Sequence, residues 1–242
     1  MMSIPFFYIE NEAVTDQILT LSEDTSRHVV QVLRMQEGDM LQLTDGKGML
    51  LKAVLQTAHK KHAVVSILET AHQSPPEQEV IIAVSLLKNT ARIEWFLEKA
   101  VELGVRKIIP LLCARTEKMQ FRHDRAKQIA ISAMLQSRQC FLTEITAPLT
   151  YEELLLKTDL TVYPQKLIAH CLPEEKTTIM QVAVNPFSKV MMLIGPEGDF
   201  TKQEISLALE KDFKPVSLGE NRLRTETAAL TAAVMFCVQV KR

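Results

Sequence analysis

Leu218-Gly219-Glu220-Asn221-Arg222-Leu223-Arg224-Thr225-Glu226-Thr227-Ala228-Ala229 is a polar, glycine-led loop that runs straight into an apolar stretch. A second stretch upstream has the same design. Val190 to Ile194 reads as an apolar strand, Gly195-Pro196-Glu197-Gly198 as its loop, and Thr201 with Glu204 as a capping box that opens a helix. Free backbone N–H groups and the helix dipole meet a ligand at such a helix start. Gly195, Gly198 and Gly219 let a flat ligand come close to the backbone, because they have no Cβ. Each alone also reads as an ordinary turn or helix-cap glycine. Neither corner is a P-loop or a long glycine fingerprint. Arg224, at the mouth of the helix, is the candidate for stabilising negative charge that develops on a substrate. Its structural alternative is an ion pair with Glu226 or Glu197. Glu226 is the candidate general base, and equally a carboxylate that suits the dipole of a first helical turn. Glu197 is assigned to ordering its loop.

The elements around these corners follow from hydrophobic patterning. From Ala228 to Val240 only Thr231 and Gln239 interrupt the apolar residues, so this helix should be buried on most sides. It is too short for the roughly 20 residues that a bilayer requires. Residues 1 to about 70 read as short strands with turn signals such as Asp45-Gly46, the pattern of a small barrel. Asp24 to Met35 has helical spacing. Pro75-Pro76, in a stretch poor in apolar residues, is the best linker. Beyond it the style changes. Val80 to Leu87 is nearly continuously apolar, as in a parallel strand buried on both faces, and strands then alternate with helices. The expected organisation is a β-rich domain over 1–72 and an α/β domain over 73–242.

Composition narrows the function classes. The chain has 242 residues, is 47% hydrophobic and 24% charged, and carries a net charge of −1. No global basic signal marks it for nucleic acid, so any such contact comes from local patches. Arg27 and Arg34 flank His28, and Arg115 to Arg138 is rich in basic residues, a pattern that a solvated helix face also gives. The four cysteines form no Cys-x-x-Cys pair, so free thiols in a reducing cytosol are expected. No metal is expected, since no ligand cluster has the right spacing. The N-terminus lacks a signal-peptide pattern and a cytoplasmic protein is expected. His170 closes a short apolar segment, Leu167 to Cys171, that would end near the ligand, and a satisfied structural histidine is the leading reading. Trp95, beside Phe96 and Leu97, is expected in the core.

Leu193-Ile194-Gly195-Pro196-Glu197-Gly198 and Leu218-Gly219…Leu223-Arg224-Thr225-Glu226-Thr227-Ala228 resemble the two C-terminal motifs of the SPOUT methyltransferases. More narrowly they resemble the small-subunit methyltransferase E family, which methylates N3 of a uridine in 16S ribosomal RNA. The resemblance runs nearly end to end. His28…Val32-Leu33-Arg34…Gly38-Asp39 matches that family's RNA-binding domain. Lys88…Arg92…Glu94…Lys99…Glu102-Leu103-Gly104…Ile109-Pro110-Leu111…Arg115 matches its catalytic domain. Some positions depart: Asp199 stands where the family has a second glycine, and Glu220-Asn221-Arg222 replaces Pro-Arg-Ile. Leu135-Gln136 replaces Glu-Gln, with Arg138 kept.

The resemblance implies an α/β fold with a PUA-like N-terminal β-barrel and a trefoil-knotted SPOUT domain with a mainly parallel sheet. It implies S-adenosyl-L-methionine as cofactor, held by Ile168, Ala169, Ile194, Gly195, Glu197, Gly198, Leu218, Gly219, Leu223, Thr225 and Thr227. It implies RNA contacts from Arg27, His28, Arg34, Lys88, Arg92, Arg115 and Arg138, catalysis by Arg224 and Glu226, 16S rRNA within the small subunit as partner, and a homodimer. Two alternatives stand beside it. One is a related methyltransferase for another rRNA or tRNA base. The other is a non-catalytic RNA-binding assembly factor, which would bind RNA but no S-adenosylmethionine.

Overall fold

The computed structural model describes residues 4–10, 17–117, 119–182 and 189–238. They form two compact units. The first comprises residues up to Pro75 together with Met134–Leu142, a segment that returns to it from the second half of the chain.

In the first unit, β1 (Phe6–Tyr8), β2 (Ile18–Thr20), α1 (Glu23–Arg27), a π-helical turn (His28–Val32), β3 (Met40–Thr44), β4 (Met49–Thr57) and β5 (Val64–His72) follow one another. The strands form one sheet in the order β1-β3-β4-β5-β2. Strict alternation drives it: Leu41 and Leu43, Leu51, Ala53 and Leu55, and Val65 and Ile67 point to one buried face. Register shifts at Lys52/Ala53 and Leu55/Thr57 bend β4, as bulges do. Helical spacing over Asp24 to Met35 yields α1 and the π-helical turn, and the chain leaves them through Arg34 at φ 55°. The β3–β4 turn takes Gly46 at φ 69°, and here the returning segment joins the unit. Gly48 N–H donates to the Cys140 carbonyl and Leu142 N–H to the Gly46 carbonyl, both at 2.8 Å.

The second unit holds β6 (Glu79–Ser85), α2 (Thr90–Glu102), β7 (Lys107–Leu112), most of α3 (His123–Gln136), β8 (Glu144–Ile145), β9 (Leu149–Thr150), α4 (Tyr151–Lys157), β10 (Gln165–Ala169), β11 (Thr177–Thr178), β12 (Lys189–Ile194), α5 (Lys202–Glu210), β13 (Lys214–Ser217) and α6 (Thr225–Cys237). Its eight-stranded sheet runs β11-β13-β10-β12-β6-β7-β8, with β9 also on β7, and its strand pairs are parallel. β6 and β12 are buried nearly throughout, as the continuous apolar runs require. β13 lies on the side of β10 away from β12, whereas α6 packs on β6, β12 and α2. Residues 218–224 therefore cross the carboxyl ends of β10 and β12.

Two burial expectations need correction. Trp95 is 45% exposed, because the buried stripe of α2 is Ile93, Phe96, Leu97, Ala100 and Val101, and position 95 falls off that stripe. α6 buries one face, Ala229, Ala232, Ala233 and Phe236, and leaves Val234 42% exposed. The reading of its last residues beyond Val238 lies outside the described residues.

Candidate active site

Three adjacent parallel strands, β13, β10 and β12, end side by side, and their following loops meet. In open α/β sheets ligands bind at such carboxyl ends. Ala169-His170-Cys171, Gly195-Pro196 with Asp199, and the run from Val216 to Leu223 line a cavity of about 440 Å³, which Lys176 and the first turn of α6 (Thr225, Ala228) complete. Ile194, Val216, Leu218, Leu223 and Ala228 supply apolar wall, and His170, Asp199, Asn221 and Arg222 supply polar groups.

The two glycine corners are fastened together. Thr225, 5% exposed, donates its hydroxyl to the Gly195 carbonyl at 2.9 Å. The Thr201–Glu204 capping box forms as its spacing predicts: Thr201 N–H donates to Glu204 Oε2 at 2.8 Å, and Glu204 N–H to Thr201 Oγ1 at 3.2 Å. The other oxygen of Glu204 accepts from Ala114 N–H at 2.8 Å, which ties the loop after β7 to the first turn of α5. Arg115 lies along that loop and donates to the Gly198 carbonyl at 2.6 Å.

The three glycines have different reasons to be glycine. A Cβ on Gly195 would stand 3.1 Å from the Phe200 ring, and one on Gly198 would stand 3.2 Å from Arg115 Cδ. Both are close-packing positions within the protein. Gly219 has φ 136°, which side-chain-bearing residues rarely adopt, and its open side meets no protein atom within 4 Å. Of the three, only Gly219, which lines the cavity, would place a Cβ in open space. Asp199 takes φ 64°, a conformation that asparagine and aspartate tolerate better than most. Its carboxylate then accepts from Cys171 N–H and Phe200 N–H, each at 2.8 Å. Asp199 thus joins the β12 loop to the β10 loop.

Of the residues expected to hold a cofactor, Ala169, Ile194, Gly195, Leu218, Gly219, Leu223 and Thr225 line the cavity. Ile168 faces the apolar core of the sheet. Glu197, Gly198 and Thr227 are exposed and lie off the lining. Arg224 is exposed at the N-cap of α6 and, among the described residues, makes no ion pair, so the pairing with Glu226 or Glu197 is not the arrangement present. Glu226 turns instead towards α2. Its Oε1 lies 3.6 Å from Arg92 Nε, and its buried Oε2 has no partner among the described residues. Lys88 pairs with Glu117 at 2.8 Å, which raises its pKa.

The remaining expected RNA contacts sit in the first unit. Arg27 pairs with Glu23 at 3.0 Å, and His28 meets Phe7 edge-on with ring centres 5.7 Å apart. Arg138 donates to the Ile4 carbonyl, just before β1, at 3.2 Å.

Cys171, Lys176, Asp199, Ser217, Asn221 and Arg222 also line the cavity, and no motif role marks them as cavity residues in the sequence. The position of His170 near the ligand is legible in the sequence, whereas the leading expectation of a satisfied structural histidine is not met. Instead His170 is 7% exposed on the cavity wall, and neither ring nitrogen has a partner among the described residues. Burial, and then the Lys176 charge, lowers its pKa. Its place at the end of a strand beside two other strand ends was the available signal.

Comparison with known proteins agrees with this geometry. Residues 74–236 match the model of an RNA methyltransferase domain and residues 21–68 that of an RNA methyltransferase PUA domain. A ribosomal RNA small subunit methyltransferase E from Synechocystis sp. is 31% identical, over 91% of this chain and 73% of its own length. A probable rRNA-methyltransferase from Porphyromonas gingivalis superposes with a TM-score of 0.85 at 37% identity, covering 95% of both chains. A ribosomal RNA small subunit methyltransferase E from Neisseria gonorrhoeae, solved bound to S-adenosyl methionine, gives 0.79 at 32% identity over 96% of each chain. With both domains matched and relatives aligned along nearly its whole length, the chain belongs to the ribosomal RNA small subunit methyltransferase E family of SPOUT-class RNA methyltransferases.

Proposed function

We propose that this chain methylates N3 of a specific uridine in 16S rRNA, with S-adenosylmethionine as the methyl donor. The observation that carries the reading is the cavity at the joined ends of β10, β12 and β13, in a chain of this family. The cavity's mixed lining, the open side of Gly219 and the unpartnered ring of His170 fit a nucleoside-bearing ligand. The cofactor supplies an electrophilic methyl group on a sulfonium. The protein's task is alignment of donor and acceptor at roughly 3–3.5 Å. Thr225, through its bond to Gly195, holds two walls of the cavity at fixed separation. Arg224, exposed and without an ion pair among the described residues, stabilises charge that develops on the uracil carbonyls as N3 loses its proton. Glu226 is the base in this proposal, and its side chain, paired with Arg92 of α2 in this structure, would have to turn to the cavity to accept that proton.

In the same proposal the first unit recognises RNA through Arg27, His28 and Arg34, and the protein works in the cytoplasm. No helix among the described residues is long and apolar enough to cross a membrane. The same proposal includes a trefoil knot in the second unit, a reading that rests on membership of the family. A second chain would cover the exposed apolar side chains of Val234 on α6 and Val238 just beyond it. The test is mass spectrometry of rRNA nucleosides from a strain lacking the gene. Loss of 3-methyluridine from 16S rRNA, restored by the intact gene and not by Arg224→Ala, is the expected result. Unchanged 3-methyluridine would refute the reading.

A further inference from the structure

His170 lines the cavity and takes no part in the catalysis proposed above. It is 7% exposed, and neither Nδ1 nor Nε2 has a hydrogen-bond partner among the described residues. Buried polar groups in native proteins are nearly always paired. The groups around it are already committed. Asp199 accepts from Cys171 N–H and Phe200 N–H, and Lys176 Nζ donates to the Leu172 carbonyl. Both ring nitrogens are therefore left for whatever fills the cavity.

The chemistry of the ring narrows what that is. A neutral imidazole offers one donor and one acceptor. Burial and Lys176 favour the neutral ring, while Asp199 and Glu174 pull the other way; Glu220 and Arg222 also line the cavity. A ligand carboxylate would favour the protonated ring, whereas uncharged hydroxyl and amine edges match both the donor and the acceptor of a neutral one. Resting on the methyltransferase reading, we propose that neutral His170 hydrogen-bonds the nucleoside half of S-adenosylmethionine, so that cofactor binding and protonation of His170 exclude one another.

Calorimetry on the full chain tests this with S-adenosylhomocysteine and with 5′-methylthioadenosine, which lacks the amino-acid end. Binding is followed from about pH 8 down to about pH 5.5, with NMR of the His170 ring in parallel. Affinity for both ligands should fall on acidification, approaching about tenfold per pH unit below the pKa of the free protein. His170→Ala and His170→Asn should weaken both ligands by roughly 3- to 10-fold at pH 8, the effect of one hydrogen bond, and flatten the pH dependence. In the wild type the NMR midpoint of His170 should drop when ligand saturates the site, a readout that needs no variant to fold. Folded variants that bind as the wild type does, or a midpoint that stays or rises, would overturn the proposal. So would an effect seen with S-adenosylhomocysteine and absent with methylthioadenosine. In all these cases the wild type still binds, and the methyltransferase reading stands. A wild type that binds neither ligand at pH 8 removes that reading and the inference with it.

Discussion

Thr225→Val is the substitution that most directly tests how the site is held. Threonine and valine have nearly the same shape, so no cavity opens and the change is confined to one hydroxyl. That hydroxyl is buried and donates to the Gly195 carbonyl at 2.9 Å, joining the start of α6 to the β12 loop. Removing one partner of such a buried bond costs about 1–3 kcal/mol. In a unit of this size each kcal/mol moves the melting temperature by about 2–4 °C, so a fall of about 2–12 °C is expected. The same bond fixes two walls of the cavity. If the lost order must be restored on binding, S-adenosylmethionine affinity falls by about 5- to 150-fold. Thr225→Ser keeps the donor and should bind nearly as the wild type does. Circular-dichroism melts and calorimetry read both quantities. A valine variant that melts within about 1 °C of the wild type and binds with unchanged Kd would show that the bond holds neither the fold nor the site.

Gly219→Ala meets no protein atom, so its effect should come from backbone strain at φ 136°, about 1–3 kcal/mol, with cofactor binding lost or greatly weakened in a chain that still folds; normal calorimetric binding would make Gly219 a turn residue only. Arg224→Ala should leave the melting temperature unchanged and lower single-turnover transfer at saturating cofactor by about 10²–10³-fold, with Arg224→Lys between, and near-normal transfer would remove Arg224 from the mechanism. Burial pushes the thiol of Cys113 up to about 12, so it stays protonated at pH 8 and resists iodoacetamide, while exposed Cys171 is labelled first and is protected by S-adenosylmethionine; peptide mass spectrometry reads the order. Arg138→Ala should lower the stability of the first unit by about 1 kcal/mol through loss of the Ile4 contact and leave the salt dependence of RNA binding unchanged, whereas a phosphate contact would reduce the slope by about one.

What the sequence made readable was local. Thr201 and Glu204 announce a capping box because their spacing is the motif, and the box is present. The apolar runs of β6 and β12 announce buried parallel strands for the same reason. What it hid was set by neighbours far along the chain. The second oxygen of Glu204 reaches Ala114, and no spacing rule links those positions. Met134–Leu142 joins the first unit through Gly46 and Gly48, whereas the Pro75-Pro76 signal marks only the first crossing between units. His170 looks from its sequence like any histidine that ends an apolar segment. Its isolation depends on β10 lying between β12 and β13. Trp95 is different, since the stripe at 93, 96, 97, 100 and 101 was present in the sequence and its phase already put 95 outside.

The glycines and Asp199 show why a motif can be located from sequence while the roles within it cannot. Gly195, Gly198 and Gly219 are the same residue in matched loops, and close ligand approach explains all three equally well. The structure separates them by what a Cβ would meet: the Phe200 ring, the Arg115 chain, or open space. Two are needed by the protein's own packing, so their substitution disturbs the loop whether or not a ligand binds. The third is needed for its backbone angle beside the cavity. At position 199 a left-handed residue is again required, and here aspartate meets the requirement while its carboxylate bonds the backbone of Cys171 and Phe200. A glycine there would relieve about 1–2 kcal/mol of backbone strain but release both bonds, each of comparable size. Aspartate is thus accommodated at this position, its backbone strain offset by the two bonds that its carboxylate makes.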